Sequence, residues 1–213
     1  DCEHLNYNID TDKIEAAETA NTKAVIAVNL YGQPAQLEKI RELTDKYDLF
    51  LIEDCAQSHL SEYNGKMTGT YGICGCFSFY PGKNLGSFGE GGAVITDDNK
   101  LAEKMAALRN HGSTVKYRHD FIGHNYRMEG IQGAVLDVKL KYISEWTNRR
   151  RVKANLYKKY VSGVNQLALP LEMPGAKHAY HLFVVRSINR DELQGYLGEN
   201  GIETGIHYPI PCH

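Results

Sequence analysis

The chain has 213 residues, 42% of them apolar and 23% charged, with a formal net charge of −2. That length and composition can bury one sizeable core or two modest ones, and the near-neutral balance gives no global pull toward nucleic acid or a membrane surface. No apolar run approaches the ~20 residues that a bilayer requires, and no basic-then-apolar leader opens the chain, so the expectation is a soluble, cytoplasmic protein.

The five cysteines, Cys2, Cys55, Cys74, Cys76 and Cys212, are odd in number and fall in strand-like segments, which points to reduced thiols and not to a disulfide framework. Cys74-Gly75-Cys76 has no second pair at ligand spacing and reads as strand, so no zinc site is expected. The chain starts without a methionine and stops at His213 directly after a motif; it reads as a fragment.

In chain order, residues 1–23 are polar and mixed, with a short extended stretch at 5–10. Residues 24–30 are a compact β-branched run, a buried strand. The break Tyr31-Gly32-Gln33-Pro34 follows, with Pro34 suited to a helix's first turn. Leu37, Ile40, Leu43 and Tyr47 then recur at helical spacing over 35–47, and 49–52 is the next strand. Strand, helix and strand in succession make a βαβ unit, which requires parallel strands and a right-handed crossover.

Open parallel sheets bind ligands beyond the carboxyl ends of their strands, and Asp54 falls there. On its own, an aspartate at that position serves equally as a helix cap or structural ion-pair partner. Gln57 shares the edge if the chain turns helical, and is otherwise a solvated residue. A polar connection over 58–71 carries a turn at Asn64-Gly65, and 73–79 is a strand with Ser78 near its end, able to offer a hydroxyl to a phosphate. Lys83 then sits in the turn Tyr80-Pro81-Gly82-Lys83-Asn84-Leu85-Gly86. The glycines of 86–92 precede a strand, 93–96, and do not open a helix. That context excludes a dinucleotide fingerprint, and these glycines instead let backbone pass close to a bulky ligand.

Residues 98–110 are a helix with Leu101, Met105 and Leu108 on one face. Residues 111–127 form an aperiodic polar loop, rich in His, Tyr and Arg, of a length that is usually functional or mobile. A helical region with a break runs over 128–161, and Arg149-Arg150-Arg151 reads as its solvated face. The rest is loop (163–178), strand (180–186), a helix over 190–200 with Asn189 and Glu192 as a capping box, and an extended, proline-fixed end at 206–211.

One lysine in a glycine- and proline-punctuated turn, a serine just before it and a carboxylate at an earlier strand end are the parts that pyridoxal phosphate (PLP) uses. They supply the Schiff-base amine, the phosphate contact and the partner that keeps the pyridine nitrogen protonated.

The stretches Ile52-Glu53-Asp54-Cys55-Ala56-Gln57-Ser58-His59, Phe77 to Gly86, Gly89-Glu90-Gly91-Gly92, Asn110-His111-Gly112, Gly123-His124-Asn125-Tyr126-Arg127-Met128 and Gly205-Ile206-His207-Tyr208-Pro209-Ile210-Pro211 occur here in fixed order. Together they resemble the signatures of the DegT/DnrJ/EryC1/StrS family of sugar aminotransferases, over nearly the whole chain. The resemblance implies a fold-type I PLP enzyme: an α/β/α large domain around a mostly parallel sheet (residues 1–140 in part), then an interdomain helix and part of a small C-terminal α+β domain (141–213).

It implies Lys83 as the Schiff-base lysine, Asp54 at the pyridine nitrogen, Gln57 at the phenolic oxygen and Ser78 on the phosphate. It places Asn125 on the phosphate of a dimer partner, and Tyr80, His207 and Tyr208 near the sugar. Tyr-Pro-Gly before the lysine is similar to relatives acting at carbon 3, whereas many carbon-4 enzymes have His there. The implied reaction moves an amino group from L-glutamate to a nucleotide-linked keto-sugar, such as a dTDP-3-keto-6-deoxyhexose, in a homodimer with shared sites. The alternatives are a PLP-dependent dehydratase or lyase, a 4-keto-sugar aminotransferase, or a non-catalytic relative of the fold. Family dehydratases carry histidine at the lysine position, so Lys83 favours transamination. A complete member has roughly a hundred further residues upstream, with a phosphate loop and a ring-stacking aromatic.

Overall fold

Alternation of side chains along the first strand decides how the central sheet is covered. In β1 (Ala24–Val28) the side chains of Val25 and Ala27 are buried, while Ile26 is 60% exposed. Successive side chains of a strand point to opposite faces, so one face of the sheet is core and the other is open.

The computed structural model describes residues 2–210. A short helix, α1 (Ile14–Ala17), precedes β1; then come α2 (Leu37–Lys46), β2 (Phe50–Asp54), β3 (Glu62–Tyr63), β4 (Lys66–Met67), β5 (Cys74–Ser78) and β6 (Gly92–Ile95). After α3 (Asn99–Arg109) the chain forms β7 (Ser113–Val115), β8 (Arg118–His119), α4 (Gly130–Leu140), α5 (Ile143–Val161), β9 (Leu167–Ala168), β10 (Ala176–Lys177), β11 (Arg186–Ser187) and α6 (Arg190–Glu199). No helix among the described residues is long and apolar enough to cross a membrane.

The main sheet has the order β1-β2-β5-β6. The first three strands are parallel and β6 is antiparallel to β5, so the expected βαβ unit and mostly parallel sheet are present. Helix α2 covers the closed face: Leu37, Ile40, Val25, Ala27, Ala35, Leu51 and Tyr71 form one buried cluster. A second cluster joins Leu85, Leu136 and Ile143 between the lysine turn and helices α4 and α5. The Asn64-Gly65 turn is a two-residue hairpin linking β3 to β4. Both residues have positive φ (45° and 79°), the geometry that makes Asn-Gly the favoured pair there.

Several expectations need correction. Pro34 does not enter a helix: α2 starts three residues later, and Asn29 Oδ1 accepts the Ala35 N–H in the intervening turn. Residues 111–127 are not uniformly irregular, because β7 and β8 pair and Asn110 bridges Asn125.

The segment 180–186 is not a strand. Tyr180 is held at φ 48°, its N–H donates to His178 Nδ1, and only Arg186–Ser187 pairs, with β9. The Asn189 side chain does not cap α6; the Asn189 N–H instead turns back to Ser187 Oγ.

Arg149 is solvated and paired with Glu145, but Arg150 and Arg151 are not. Arg150 donates to the carbonyls of Tyr180 and His181, and Arg151 donates to that of His178 and pairs with Glu172. Cys55, Cys74 and Cys76 are free thiols; Cys212 and Pro211 lie outside the described residues.

Candidate active site

The carboxyl ends of β1, β2 and β5 meet at one edge, because Val28 is level with Asp54 and Asp54 with Cys76. Ser78 lies two residues past Cys76, about 7 Å further along the strand. Residues in register, and those two apart, share a face, so Asp54 and Ser78 project from the same open face of the sheet. The backbone locks this edge: Asn29 N–H donates to Asp54 O and Cys55 N–H to Cys76 O. Asp54 Oδ1 accepts the Ala56 N–H at 2.9 Å, which fixes the carboxylate and leaves its second oxygen without a hydrogen-bond partner among the described residues.

Gln57 is neither helical nor solvated: it is only 8% exposed. Its Oε1 accepts the Tyr31 N–H at 2.6 Å and its Nε2 donates to Tyr208 Oη at 2.9 Å. The Tyr31 hydroxyl in turn donates to the His207 carbonyl at 2.6 Å. The extended end of the chain is thus held over the sheet edge, and two candidate sugar-side residues reach Gln57, one directly and one through Tyr31.

The lysine turn grows from β5. Ser78 Oγ accepts the Tyr80 N–H at 3.2 Å, keeping its own proton to donate, and Lys83 N–H closes the turn on Tyr80 O at 2.9 Å. Pro81 and Gly82 between them suit a tight turn. Gly86 is required at the base of the loop, because a Cβ there would lie 2.4 Å from Pro81 O. Lys139 Nζ also holds Gly86 O.

Next to Lys83, the buried Asn84 meets His181 Nδ1 through Oδ1 at 3.0 Å and donates from Nδ2 to Ala179 O at 3.4 Å. His181 is pushed down to about 4 by burial, then by the charges of Lys83 and Arg150. His59 is likewise pushed down to about 4, by burial first and Lys83 second. Its ring lies between Phe77 and Phe79, and both ring nitrogens lack a hydrogen-bond partner among the described residues. Both imidazoles are therefore neutral near pH 7, within reach of the charge of Lys83.

Tyr80 and Tyr208 are more than half exposed. Arg186, Tyr31, His207 and Tyr208 line a cavity of about 460 Å³ beside Gln57, a volume suited to a small-molecule ligand. Asn125 stands apart: it is exposed, and no hydrogen bond joins its side chain to the other candidates among the described residues. Tyr31, Asn84 and His181 were not anticipated. Tyr31 sits in a turn that carried no chemical signal, and the partners of Asn84 lie about a hundred residues away in sequence.

Across residues 1–213 the sequence matches that of the DegT/DnrJ/EryC1/StrS aminotransferase family. The chain belongs to this family. It is 47% identical over 207 residues to the dTDP-3-amino-3,6-dideoxy-alpha-D-galactopyranose transaminase of Aneurinibacillus thermoaerophilus, covering 97% of this chain and 57% of that protein.

The fold superposes on Streptomyces venezuelae DesV, solved in complex with a ketimine intermediate, with a TM-score of 0.97 at 42% identity, covering all of this chain and 57% of that one. It superposes on NtdA from Bacillus subtilis with bound cofactor PMP at a TM-score of 0.88 and 31% identity, covering 99% and 49% of the two chains. The chain therefore spans a little over half the length of the curated relatives it matches. The family is PLP-dependent, and the residues at this edge fit that cofactor. Asp54 and Ser78 share one open face, Ser78 keeps a hydroxyl proton to donate, and the Lys83 turn grows from the same strand.

Proposed function

We propose that the intact protein is a PLP-dependent aminotransferase that moves an amino group from L-glutamate to a nucleotide-linked keto-sugar, with a dTDP-3-keto-6-deoxyhexose as the favoured acceptor. The observation that carries this reading is the placement of Asp54 and Ser78 on one face of the sheet edge from which the Lys83 turn springs.

The bound cofactor would supply an aldehyde and a ring able to draw electrons from the carbon being deprotonated. The chain's own residues do the rest. Asp54 would accept a hydrogen bond from the ring nitrogen and keep that nitrogen protonated. Gln57 can donate its remaining Nε2 proton to the phenolic oxygen, and Ser78 donates its hydroxyl to the phosphate.

Lys83 would hold the cofactor through its ε-amine and, when that amine is free, would move a proton at the donor's α-carbon, a general acid–base role. Tyr80, His207 and Tyr208 face the sugar. Asn125, exposed on the loop between α3 and α4, is free to reach a second subunit's phosphate in a homodimer with shared sites.

The intact gene product should gain a visible absorbance with added PLP, and borohydride followed by peptide mapping should label Lys83. Offered glutamate and a panel of nucleotide-linked 3-keto and 4-keto sugars, it should yield an amino sugar detectable by mass. Loss of water from the sugar without nitrogen gain would identify a dehydratase instead.

A further inference from the structure

Tyr31 is a bulky residue held at φ 59°, ψ 3°, in the left-handed region where a side chain costs roughly 1–2 kcal/mol. Such positions persist only where surrounding contacts hold them, and they cluster at ligand clamps. The contacts here are specific. Tyr31 is 8% exposed. Its carbonyl accepts the Leu182 N–H at 3.3 Å and its ring stands edge-on to Tyr7 at 5.7 Å. The next residue, Gly32, admits no Cβ without approaching the backbone of Tyr180 and His181 to 3.0 Å.

Two hydrogen bonds from Tyr31 lead to the two sides of the site. Its backbone N–H can only donate, so the atom it meets on Gln57 at 2.6 Å is the amide oxygen, and this sets which way the amide points. Nε2 is then the end that faces Tyr208. Because Tyr208 Oη accepts from that nitrogen, its own proton is left to donate elsewhere. The second bond, from the Tyr31 hydroxyl to the His207 carbonyl, holds the backbone immediately before Tyr208. Gln57, Tyr31 and residues 207–208 close a ring of three hydrogen bonds.

We infer that Tyr31 is a positioning residue: through its N–H it orients the cofactor-facing amide of Gln57, and through its hydroxyl it places Tyr208 to donate to a hydroxyl of the keto-sugar, so that both sides of the site are set together. This rests on the aminotransferase reading above.

The test is a double-mutant cycle in the intact holoenzyme. Tyr31→Phe deletes one oxygen and keeps both the ring and the backbone N–H. It should raise the KM for the nucleotide-linked keto-sugar by about three- to tenfold, the range of one neutral hydrogen bond, with a smaller factor on the single-turnover rate with glutamate. Tyr208→Phe should show the same split, and the double variant should be no worse than the more impaired single.

Equal loss in both half-reactions, or factors that multiply in the double variant, would overturn the inference. Tyr208→Phe also gives an arm independent of whether Tyr31→Phe folds, because its side chain is exposed. Freeing Gln57 Nε2 should shift the pH midpoint of the visible cofactor band, and an unmoved midpoint overturns the coupling. The unmodified protein separates the two claims: if it forms no visible band with PLP, the aminotransferase reading fails and the positioning role falls with it.

Discussion

Glu53 and Asp54 are neighbours in β2 whose side chains leave opposite faces of the sheet. Glu53 is fully buried on the α2 side, where its carboxylate accepts the N–H groups of Gly69, Tyr71 and Gly72 at 2.7, 2.6 and 3.0 Å. Asp54 lies half-buried at the open edge, with one oxygen bonded to Ala56 N–H. Period-two geometry gives adjacent acids different settings: one organises the 69–72 turn and the other stands at the open sheet edge.

Exchange of these two carboxylates for amides should separate stability from turnover. Glu53→Gln leaves one oxygen to accept and turns an amide N–H₂ toward either the Gly69 N–H or those of Tyr71 and Gly72, and should cost about 1–3 kcal/mol in urea unfolding. Asp54→Asn should leave the unfolding midpoint nearly unchanged and lower kcat by about a hundredfold or more. Equal effects of the two on stability would contradict the opposite-face assignment.

Lys83→Met in the intact protein should abolish transamination and the visible cofactor band while leaving the fold in place, since Lys83 enters the turn through its backbone N–H. A surviving band, or borohydride labelling of another lysine, would remove Lys83 from the proposed role.

Acid should weaken the fold through its buried imidazoles. His59 and His181 are held down to about 4 and His178 to about 3, in each case chiefly by burial, against an ordinary value of 6.5. The unfolded chain therefore takes up protons first as the pH falls below about 6.5. The stabilisation is complete above that value and is lost progressively down to about 4 for His59 and His181 and about 3 for His178, each group contributing a slope of up to about 1.4 kcal/mol per pH unit. Urea midpoints measured from about pH 7.5 to about pH 4.5 should fall, and His181→Asn should flatten the slope.

Arg150 fastens α5 to the segment that carries His181. Arg150→Ala leaves the Tyr180 and His181 carbonyls without their donor and should destabilise by about 1–3 kcal/mol. Arg149→Ala, which removes only a solvent-exposed i,i+4 pair, should cost no more than about 0.5 kcal/mol. Thermal unfolding of the two variants checks the contrast.

Local chemistry made much of this protein legible. The βαβ unit over 24–54 follows from side-chain period, the β3–β4 hairpin from Asn64-Gly65, and α3 from the recurrence of Leu101, Met105 and Leu108. Lys83, Asp54 and Ser78 could be selected because their turn and strand-end settings are short-range features.

Residues whose partners are distant resisted that reading. Gln57 could be solvated or buried until Tyr31 and Tyr208 were placed beside it. The arginines of α5 showed a charged helix face until the carbonyls of 178–181 were brought against two of them. A β-rich run at 180–186 was diverted from strand by Tyr180's left-handed backbone and its contact with His178.

By itself, the sequence determined the secondary structure of the sheet half and the family, and it singled out the candidate reactive groups, because period, turn chemistry and motif order act over a few residues. Only the tertiary structure decided that Asp54 and Ser78 share a face, that His181 meets Asn84 beside Lys83, and that Tyr31 ties Gln57 to Tyr208. Those outcomes depend on strand register and on hydrogen bonds spanning up to 176 residues, which exist only once the chain path has brought the partners together.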